Sequence, residues 1–344
     1  MSVETNKPIV IGTHSGIFHC DELLAIFMLQ QLPQYKNTKI VRTRNDAILN
    51  ECDIVVDVGS IFDPAKFRFD HHQQSFQHTL GSLRPEFGEK FSKVRLSSAG
   101  LIYTHFGEEV IRHILKNSSN INVTDELVKL LFEKVYENFI QEIDGIDNGV
   151  SQFPAEPIYQ ICTDLSARVG RFNAQWNSSE EFNEMEQFEK GKQLAGEEFI
   201  DKVLYYANVW WPARSIVADA LEQRFSLHSS GQIIELASFC PWKQHLFGLE
   251  EKSNCVGEVL YCIGESGPGD YRVICVPLNP NSFQCRKFLP KPWRGIRDAD
   301  LANVAGIEGV TFCHATGFIG GAKSRAGALQ MAIKAVEYTE NESV

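Results

Sequence analysis

The stretch that decides the fold is Pro8-Ile-Val-Ile-Gly-Thr-His-Ser-Gly-Ile-Phe-His-Cys-Asp-Glu22. Its apolar, β-branched first part is typical of a buried strand, and a helix is expected over residues 21–32. Two further apolar runs predict strands at residues 40–43 and 54–58. Strands that alternate with helices indicate an α/β fold built on a parallel sheet.

Histidine and acidic side chains follow three apolar runs of this first part. They are His14, His19 and Asp21 after the first run, Asp57 after the second, and Asp70, His71 and His72 after the third. The carboxyl ends of neighbouring parallel strands converge on one crevice, so residues that are distant in sequence can bind the same metal ion. The pattern therefore predicts a hydrolytic metal centre.

Hydrolysis of a phosphate ester needs charge neutralisation on the phosphoryl oxygens and a hydroxide near neutral pH, and two neighbouring metal ions supply both. Such a pair needs a bridging carboxylate. Asp57, at the end of a strand and close to Gly59, suits that role. Carboxylates mixed with imidazoles favour Mn²⁺, Mg²⁺ or Zn²⁺, and the abundance of carboxylates favours Mn²⁺ for both ions.

Each of these residues has a simpler structural explanation when it is taken alone. Asp21 would cap a helix, Asp57 would begin a turn, and His71 and His72 would lie on a polar surface. Their joint occurrence favours the metal centre.

Length and composition indicate two domains. The chain has 344 residues and a net charge of −11. Its nine cysteines are scattered along the sequence, and this cysteine usage suits a reducing compartment. A polar, acidic stretch over residues 173–189 predicts the boundary between a metal-binding catalytic domain over residues 1–175 and a substrate-binding domain over residues 190–344. We expect no membrane span and no import signal, and a cytoplasmic or nuclear location.

Helices are predicted in the middle of the chain at residues 97–106, 108–116 and 124–143, after a long loop at 73–93. Near the end, a strand, a glycine loop and a helix are expected over residues 310–338. The loop would combine exposed backbone amides with two cations and so bind an anion such as phosphate, through Gly320, Gly321, Lys323 and Arg325. A tight strand-to-helix turn is the alternative interpretation.

Longer blocks of the sequence carry a resemblance to a known family. They are Gly12-Thr-His-Ser-Gly-Ile-Phe-His-Cys-Asp-Glu22, Asp53-Ile-Val-Val-Asp-Val-Gly59, Leu96-Ser-Ser-Ala-Gly-Leu-Ile-Tyr103, Pro292-Trp-Arg-Gly295 and His314-Ala-Thr-Gly-Phe-Ile-Gly-Gly321. These blocks resemble the melanocyte-proliferating-gene (Myg) exonuclease family, and the Asp-His-His triplet resembles the wider DHH phosphoesterase superfamily. The resemblance implies a DHH-type phosphoesterase domain, a smaller α/β substrate-binding domain, and a 3′-to-5′ RNA exonuclease of nucleus and mitochondria.

The resemblance also implies roles for individual residues. One metal ion would be held by His14, His19 and Asp57, and the other by Asp21, Asp57 and His71, while His72 contacts the scissile phosphate. His19 stands where the superfamily has a carboxylate, one residue further along. The last ligand would be Asp144 or Asp147, and Asp147 is favoured because Asp147-Asn-Gly149 resembles the Asp-Thr-Gly of the superfamily. Arg168 is a candidate phosphate contact.

The expected function is a metal-dependent phosphodiesterase that shortens single-stranded RNA from its 3′ end, with Asp57, His71 and His72 as catalytic residues. One alternative is a phosphohydrolase that acts on a small substrate such as pyrophosphate or a nucleotide, which the acidic net charge suits slightly better. The other alternative is a metal- or nucleotide-binding regulatory protein without catalytic activity. The oligomeric state stays open.

Overall fold

The computed structural model describes residues 7–118, 120–178 and 181–339. The architecture is α/β, which confirms the predicted class. The chain divides into two compact units, with the division between Asn208 and Val209. Within the described ranges, no helix combines the length and the apolarity that a membrane crossing requires.

The first unit contains a five-stranded sheet. Its strands are β1 Val10–Thr13, β2 Lys39–Arg42, β3 Ile54–Val56, β4 Phe62–Asp63 and β5 Arg68–Phe69. The strand order is β2-β1-β3-β5-β4. The first four strands of that order run parallel, and β4 is antiparallel to β5 at the edge. The expected parallel sheet is therefore present, and the ends of β1, β3 and β5 lie side by side.

The helices of the first unit include one, the first, that is buried and packs against several of the others. They are α1 Cys20–Gln30, α2 Asp46–Leu49, α3 Leu80–Leu83, α4 Ser98–Ser118, α5 Asp125–Val135, α6 Gln141–Asp147, α7 Leu165–Gly170 and α8 Glu184–Tyr205. Every residue of α1 except the last is buried, which explains why its sequence is apolar all round after the first turn. Helices α4 and α8 pack against it.

Two predictions about these helices differ from the structure. The two helices expected on either side of Gly107 are one continuous helix, α4. Gly107 does not end the helix. It gives room to Phe132 of α5, since a Cβ at this position would lie 2.9 Å from the Phe132 ring. The helix expected over residues 124–143 is interrupted by a π-helical turn at Tyr136–Ile140, after which α6 continues to Asp147.

The division between the units lies later than the predicted linker at residues 173–189. Helix α8 begins inside that stretch, at Glu184, and packs against α1 of the first unit. Its polar first turn made the sequence look like a linker, although the helix as a whole belongs to the core of the first unit.

The second unit contains a mainly antiparallel sheet with helices on both faces. Its strands are β6 Ile233–Glu235, β7 Tyr261–Gly267, β8 Asp270–Cys275, β9 Val310–Cys313 and β10 Ile319–Ala322, in the order β6-β7-β8-β10-β9. Only β6 and β7 pair in parallel. The helices are α9 Trp211–Glu222, α10 Arg224–Leu227, α11 Lys243–Lys252, α12 Asp298–Ala305 and α13 Arg325–Glu337. Successive side chains of a strand point to opposite faces of the sheet, so alternate residues of the strands belong to two separate hydrophobic cores.

The glycine loop predicted near the end of the chain is wrong. Gly320 and Gly321 are buried in β10, where their backbone pairs with β8 and β9. A Cβ at Gly320 would lie 2.5 Å from Cε of Met331, and one at Gly321 would lie 2.7 Å from the Phe312 ring. These glycines therefore allow bulky side chains to pack against the strand, and their amides are not free to form an anion cradle.

Candidate metal centre

The predicted ligands meet at the carboxyl edge of the first sheet. His14 follows β1, Asp57 follows β3, and His71 lies two residues after the end of β5. Because these strands are parallel neighbours, their ends bring the three side chains together. The first turn of α1 adds Asp21 and Glu22 to the same place.

Asp57 lies at the middle of the cluster. Its backbone is left-handed, with φ of 63°, a conformation that aspartate tolerates better than most residues. Its Oδ2 lies 3.3 Å from Nε2 of His14, and its Oδ1 lies 3.3 Å from Nε2 of His71. Ser98, at the start of α4, donates a hydrogen bond of 2.9 Å to Oδ1. The two carboxylate oxygens of Asp57 thus face two different imidazoles.

Metal-ligating atoms converge in three overlapping groups, in each of which they lie within 4.8 Å of one another. The groups are His14, His19, Glu22 and Asp57; Asp57, His71 and His72; and His19, Asp21 and Asp147. Asp57 belongs to two of the groups, and so does His19.

Glu22 is a residue that sequence reasoning missed. Its Oε1 lies 3.2 Å from Nε2 of His14, and both of its carboxylate oxygens accept a hydrogen bond from the backbone N–H of His19. A glutamate at the third position of a helix often accepts a hydrogen bond from the backbone N–H of the residue just before the helix, as Glu22 does here. That ordinary interpretation conceals a carboxylate that is fully buried beside an imidazole.

The two aspartates of α6 have different surroundings. Asp147 Oδ2 lies 3.1 Å from Nε2 of His71. Asp144 is fully buried and accepts hydrogen bonds from the backbone N–H and the hydroxyl of Ser97 and from the hydroxyl of Tyr136. The carboxylate of Asp144 therefore organises the start of α4, and it belongs to none of the three groups formed by the described residues.

Asp70 supports the cluster from outside. Its Oδ2 accepts from the backbone N–H of Ser60, and its Oδ1 lies 2.7 Å from Nδ1 of His72. This hydrogen bond raises the pKa of His72 and fixes the orientation of its ring. Asp70 is absent from the three groups of ligating atoms among the described residues.

Buried negative charge dominates the electrostatics of the cluster. Burial opposes the charged form of His14, but its hydrogen bonds to Asp57 and Glu22 prevail and raise its pKa to about 10. In the same way, Asp147 and Asp57 raise the pKa of His71 to about 10. Burial and then the neighbouring carboxylates Asp57 and Asp147 raise the pKa of Asp21 well above its usual range.

These features fit a divalent metal ion. Adjacent oxygen ligands in an octahedral shell with bonds of about 2.1 Å are about 3.0 Å apart. The four closest imidazole–carboxylate pairs formed by His14 or His71 are separated by 3.1 to 3.3 Å, which is close to that spacing. Oδ1 of Asp21 is buried and has no hydrogen-bond partner among the described residues. A cation bound here would satisfy that oxygen and compensate the carboxylate charge.

A cavity of about 900 Å³ opens onto the cluster. Besides His19, Asp21, His71, His72 and Asp147, its lining includes Arg95, Asn148, Ser166 and Asn173. The guanidinium of Arg95 takes part in no ion pair with a described residue, so its charge is available to a ligand in the cavity. Sequence reasoning missed Arg95 because a lone arginine in a loop carries no pattern.

The other predicted substrate contacts lie elsewhere in their units. Arg168 is on α7, where its guanidinium bonds to Glu198 at 2.5 Å, and it is not part of the cavity lining. In the second unit, Lys323 is exposed, and Arg325 forms two hydrogen bonds to the carboxylate of Glu235. Both arginines are therefore already paired.

The chain is similar along most of its length to proteins of one known family. Residues 10–336 match the family model MYG1_exonuc, described as an uncharacterised protein family (UPF0160). The MYG1 exonuclease of Homo sapiens is 48% identical over 324 residues, which cover 94% of this chain and 84% of the human protein. A MYG1 protein of Caenorhabditis elegans is 46% identical over 97% of both chains. A MYG1 protein of Saccharomyces cerevisiae is 40% identical over 94% of both.

Proposed function

Because this chain belongs to the MYG1 exonuclease family, we propose that it is a metal-dependent 3′-to-5′ exonuclease of single-stranded RNA. The observation that carries the proposal is the position of Asp57, whose oxygens each lie 3.3 Å from a different imidazole, Oδ2 from His14 and Oδ1 from His71. A carboxylate in that position is suited to bridge two ions.

The described residues provide two ligand sets that share Asp57. His14, His19, Glu22 and Asp57 would hold one ion. Asp21, Asp57, His71 and Asp147 would hold the other, since Nε2 of His71 lies within 3.9 Å of an oxygen of each of these three carboxylates. Ions bound there would supply Lewis acidity for the activation of water and for neutralisation of phosphoryl charge.

The chemistry of the ligands favours Mn²⁺ or Mg²⁺. Carboxylate oxygens and imidazoles suit such ions, whereas soft metals prefer thiolates. Cys20 lines the cavity, but burial raises the pKa of its thiol well above the usual range, which disfavours the thiolate form.

Other residues of the chain would bind and orient the substrate. His72 is partly exposed, faces the cavity, and has a pKa raised by Asp70, so it can donate a hydrogen bond to a phosphoryl oxygen. Arg95 would pair with a second phosphoryl oxygen. Ser98 holds Asp57 in place through its hydrogen bond. None of these steps needs a nucleophile from the protein.

The test uses protein loaded with Mn²⁺ and single-stranded RNA labelled at its 5′ end. We expect a ladder of products that shortens from the 3′ end, and we expect it to disappear in Asp57→Asn. Asp125→Asn is the matched control, because Asp125 is an exposed aspartate at the start of α5. Release of phosphate from pyrophosphate without RNA shortening would instead support the small-substrate alternative.

DNA of the same sequence and RNA labelled at its 3′ end complete the experiment. Equal cleavage of DNA would remove the preference for RNA. Release of the 3′ label only after the remainder had been degraded would contradict the proposed polarity.

A further inference from the structure

The connection between α6 and α7, residues 150–163, forms no helix or strand. We call this segment the 150–163 strap. Both of its ends are fixed beside the metal cluster. Asn148 donates hydrogen bonds to the carbonyl oxygens of Arg95 and Asp144 before the strap begins, and the carboxylate of Asp164 caps α7 after it ends. Asn148 and Ser166, which flank the strap, both line the cavity.

The strap exposes an unusual amount of apolar surface. Phe153, Tyr159 and Ile161 are 55%, 76% and 60% exposed, and Ile158 is fully exposed. The strap encloses a concavity of about 680 Å³ that is lined by its own residues 151–161 alone. Exposed apolar groups that lie together in this way usually mark a binding surface.

The composition of the strap limits what it can bind. Glu156 is the single charged residue among residues 150–163, so the strap has no cation with which to bind a phosphate. Phe153 and Tyr159 offer aromatic faces instead. Such faces stack on nucleobases of any sequence, because every base has a flat π surface.

The position of the strap beside the cavity indicates which part of a substrate it can contact. A substrate whose phosphate lies near His71 and Arg95 occupies the cavity that both ends of the strap border. The volume of about 900 Å³ is near the upper end of ligand pockets and leaves space for more than a phosphate group. In a nucleic acid, the group attached next to that phosphate is a nucleoside, whose base needs an apolar surface.

We propose that the 150–163 strap binds the nucleobase of the 3′-terminal nucleotide, with Phe153 and Tyr159 as its stacking residues. This inference rests on the proposed function and narrows it: the substrate is a nucleotide chain read through its bases without regard to their identity. A phosphate ester without a base would lose this contact.

The test compares two single-stranded RNAs that differ only in the last residue, which is intact in one and abasic in the other. Wild-type protein should cleave the intact RNA with a kcat/KM about 5- to 150-fold higher, the range expected for one stacked base. The double variant Phe153→Ala/Tyr159→Ala should cleave the intact RNA as slowly as the abasic RNA, and the abasic rate should stay as in wild type.

Tyr205→Ala is the control variant. Tyr205 is also an exposed aromatic residue of the first unit, but it ends α8, whose other end, at Glu184, pairs with Arg42 near His14. The 22 residues of α8 span about 33 Å, so Tyr205 is remote from the cluster. The inference fails if wild type cleaves both RNAs equally, or if the double variant slows both equally.

A second measurement separates this inference from the exonuclease proposal. Chymotrypsin cleaves after exposed aromatic residues unless a proline follows, so the Tyr159–Gln160 bond should be an early site in wild-type protein and the Phe153–Pro154 bond should not. An intact oligonucleotide should protect the Tyr159 site, whereas inorganic phosphate and the abasic oligonucleotide should not. Protection without RNA cleavage would refute the exonuclease proposal and support the strap as a base-binding element. RNA cleavage without protection would support the exonuclease proposal and refute base binding by the strap.

Discussion

Asp144→Asn should change the pH dependence of stability in a way that can be calculated. Asp144 is fully buried, and burial raises the pKa of its carboxyl from 3.8 to about 7 in spite of its hydrogen bonds to Ser97 and Tyr136. The folded protein therefore holds this proton more tightly than the unfolded chain does. Stability is highest when the carboxyl is protonated in both states, below about pH 4, and decreases as pH rises to about 7.

The size of the effect follows from linkage. The difference in pKa corresponds to about 4 kcal/mol in total, of which about 2 kcal/mol is lost between pH 5.5 and pH 8.5. An asparagine can keep the geometry, since its oxygen can accept from Ser97 and its amide can donate to the hydroxyl of Tyr136. It has no charge to bury, so this contribution to pH dependence should vanish.

The assay is urea denaturation of wild type and Asp144→Asn at both pH values. We expect the variant to gain about 2 kcal/mol relative to wild type on going from pH 5.5 to pH 8.5. The comparison at equal pH cancels the other titrating groups, His14 and His71 included. Asp125→Asn serves as the control and should follow wild type. Parallel stability curves for wild type and Asp144→Asn would refute the claim that Asp144 is a buried structural carboxyl.

Three further predictions concern the same region. Asp147→Asn should lower both Mn²⁺ affinity and RNA cleavage at least tenfold, whereas Asp144→Asn should leave Mn²⁺ affinity unchanged in calorimetric titration; equal losses would mean that both aspartates are ligands. Gly100→Ala places a Cβ 2.3 Å from the Asp144 carboxylate and should destabilise the fold by about 1–3 kcal/mol in urea denaturation, and a wild-type midpoint would contradict this contact. Arg95→Ala should raise KM for RNA about 10- to 100-fold with little change in kcat, whereas Arg112→Ala, which removes an arginine paired with Asp125, should not; an unchanged KM would exclude Arg95 as a phosphate contact.

The α/β class and the convergence of His14, Asp57 and His71 could be predicted from the sequence. Both follow from local sequence patterns, because apolar runs form strands and the carboxyl ends of neighbouring parallel strands lie at the same edge of the sheet. The family was also recognisable from its motifs, and the comparisons confirm it.

Features that depend on tertiary packing could not be predicted. Gly320 and Gly321 have the local pattern of a loop, and only the approach of Met331 and Phe312 explains them as strand residues. Asp144 and Asp147 are three positions apart on α6, yet one meets Ser97 and the other meets His71. Glu22 was concealed by its ordinary role at the start of a helix.

The central proposal is that Asp57 would bridge two metal ions. The most direct measurement is titration of metal-free protein with Mn²⁺, followed by calorimetry and by electron paramagnetic resonance. We expect two ions per chain with a spin-coupled signal in wild type, and the loss of that coupling in Asp57→Asn while Asp125→Asn keeps it. A single bound ion, or two ions without coupling in wild-type protein, would show that Asp57 does not bridge a metal pair.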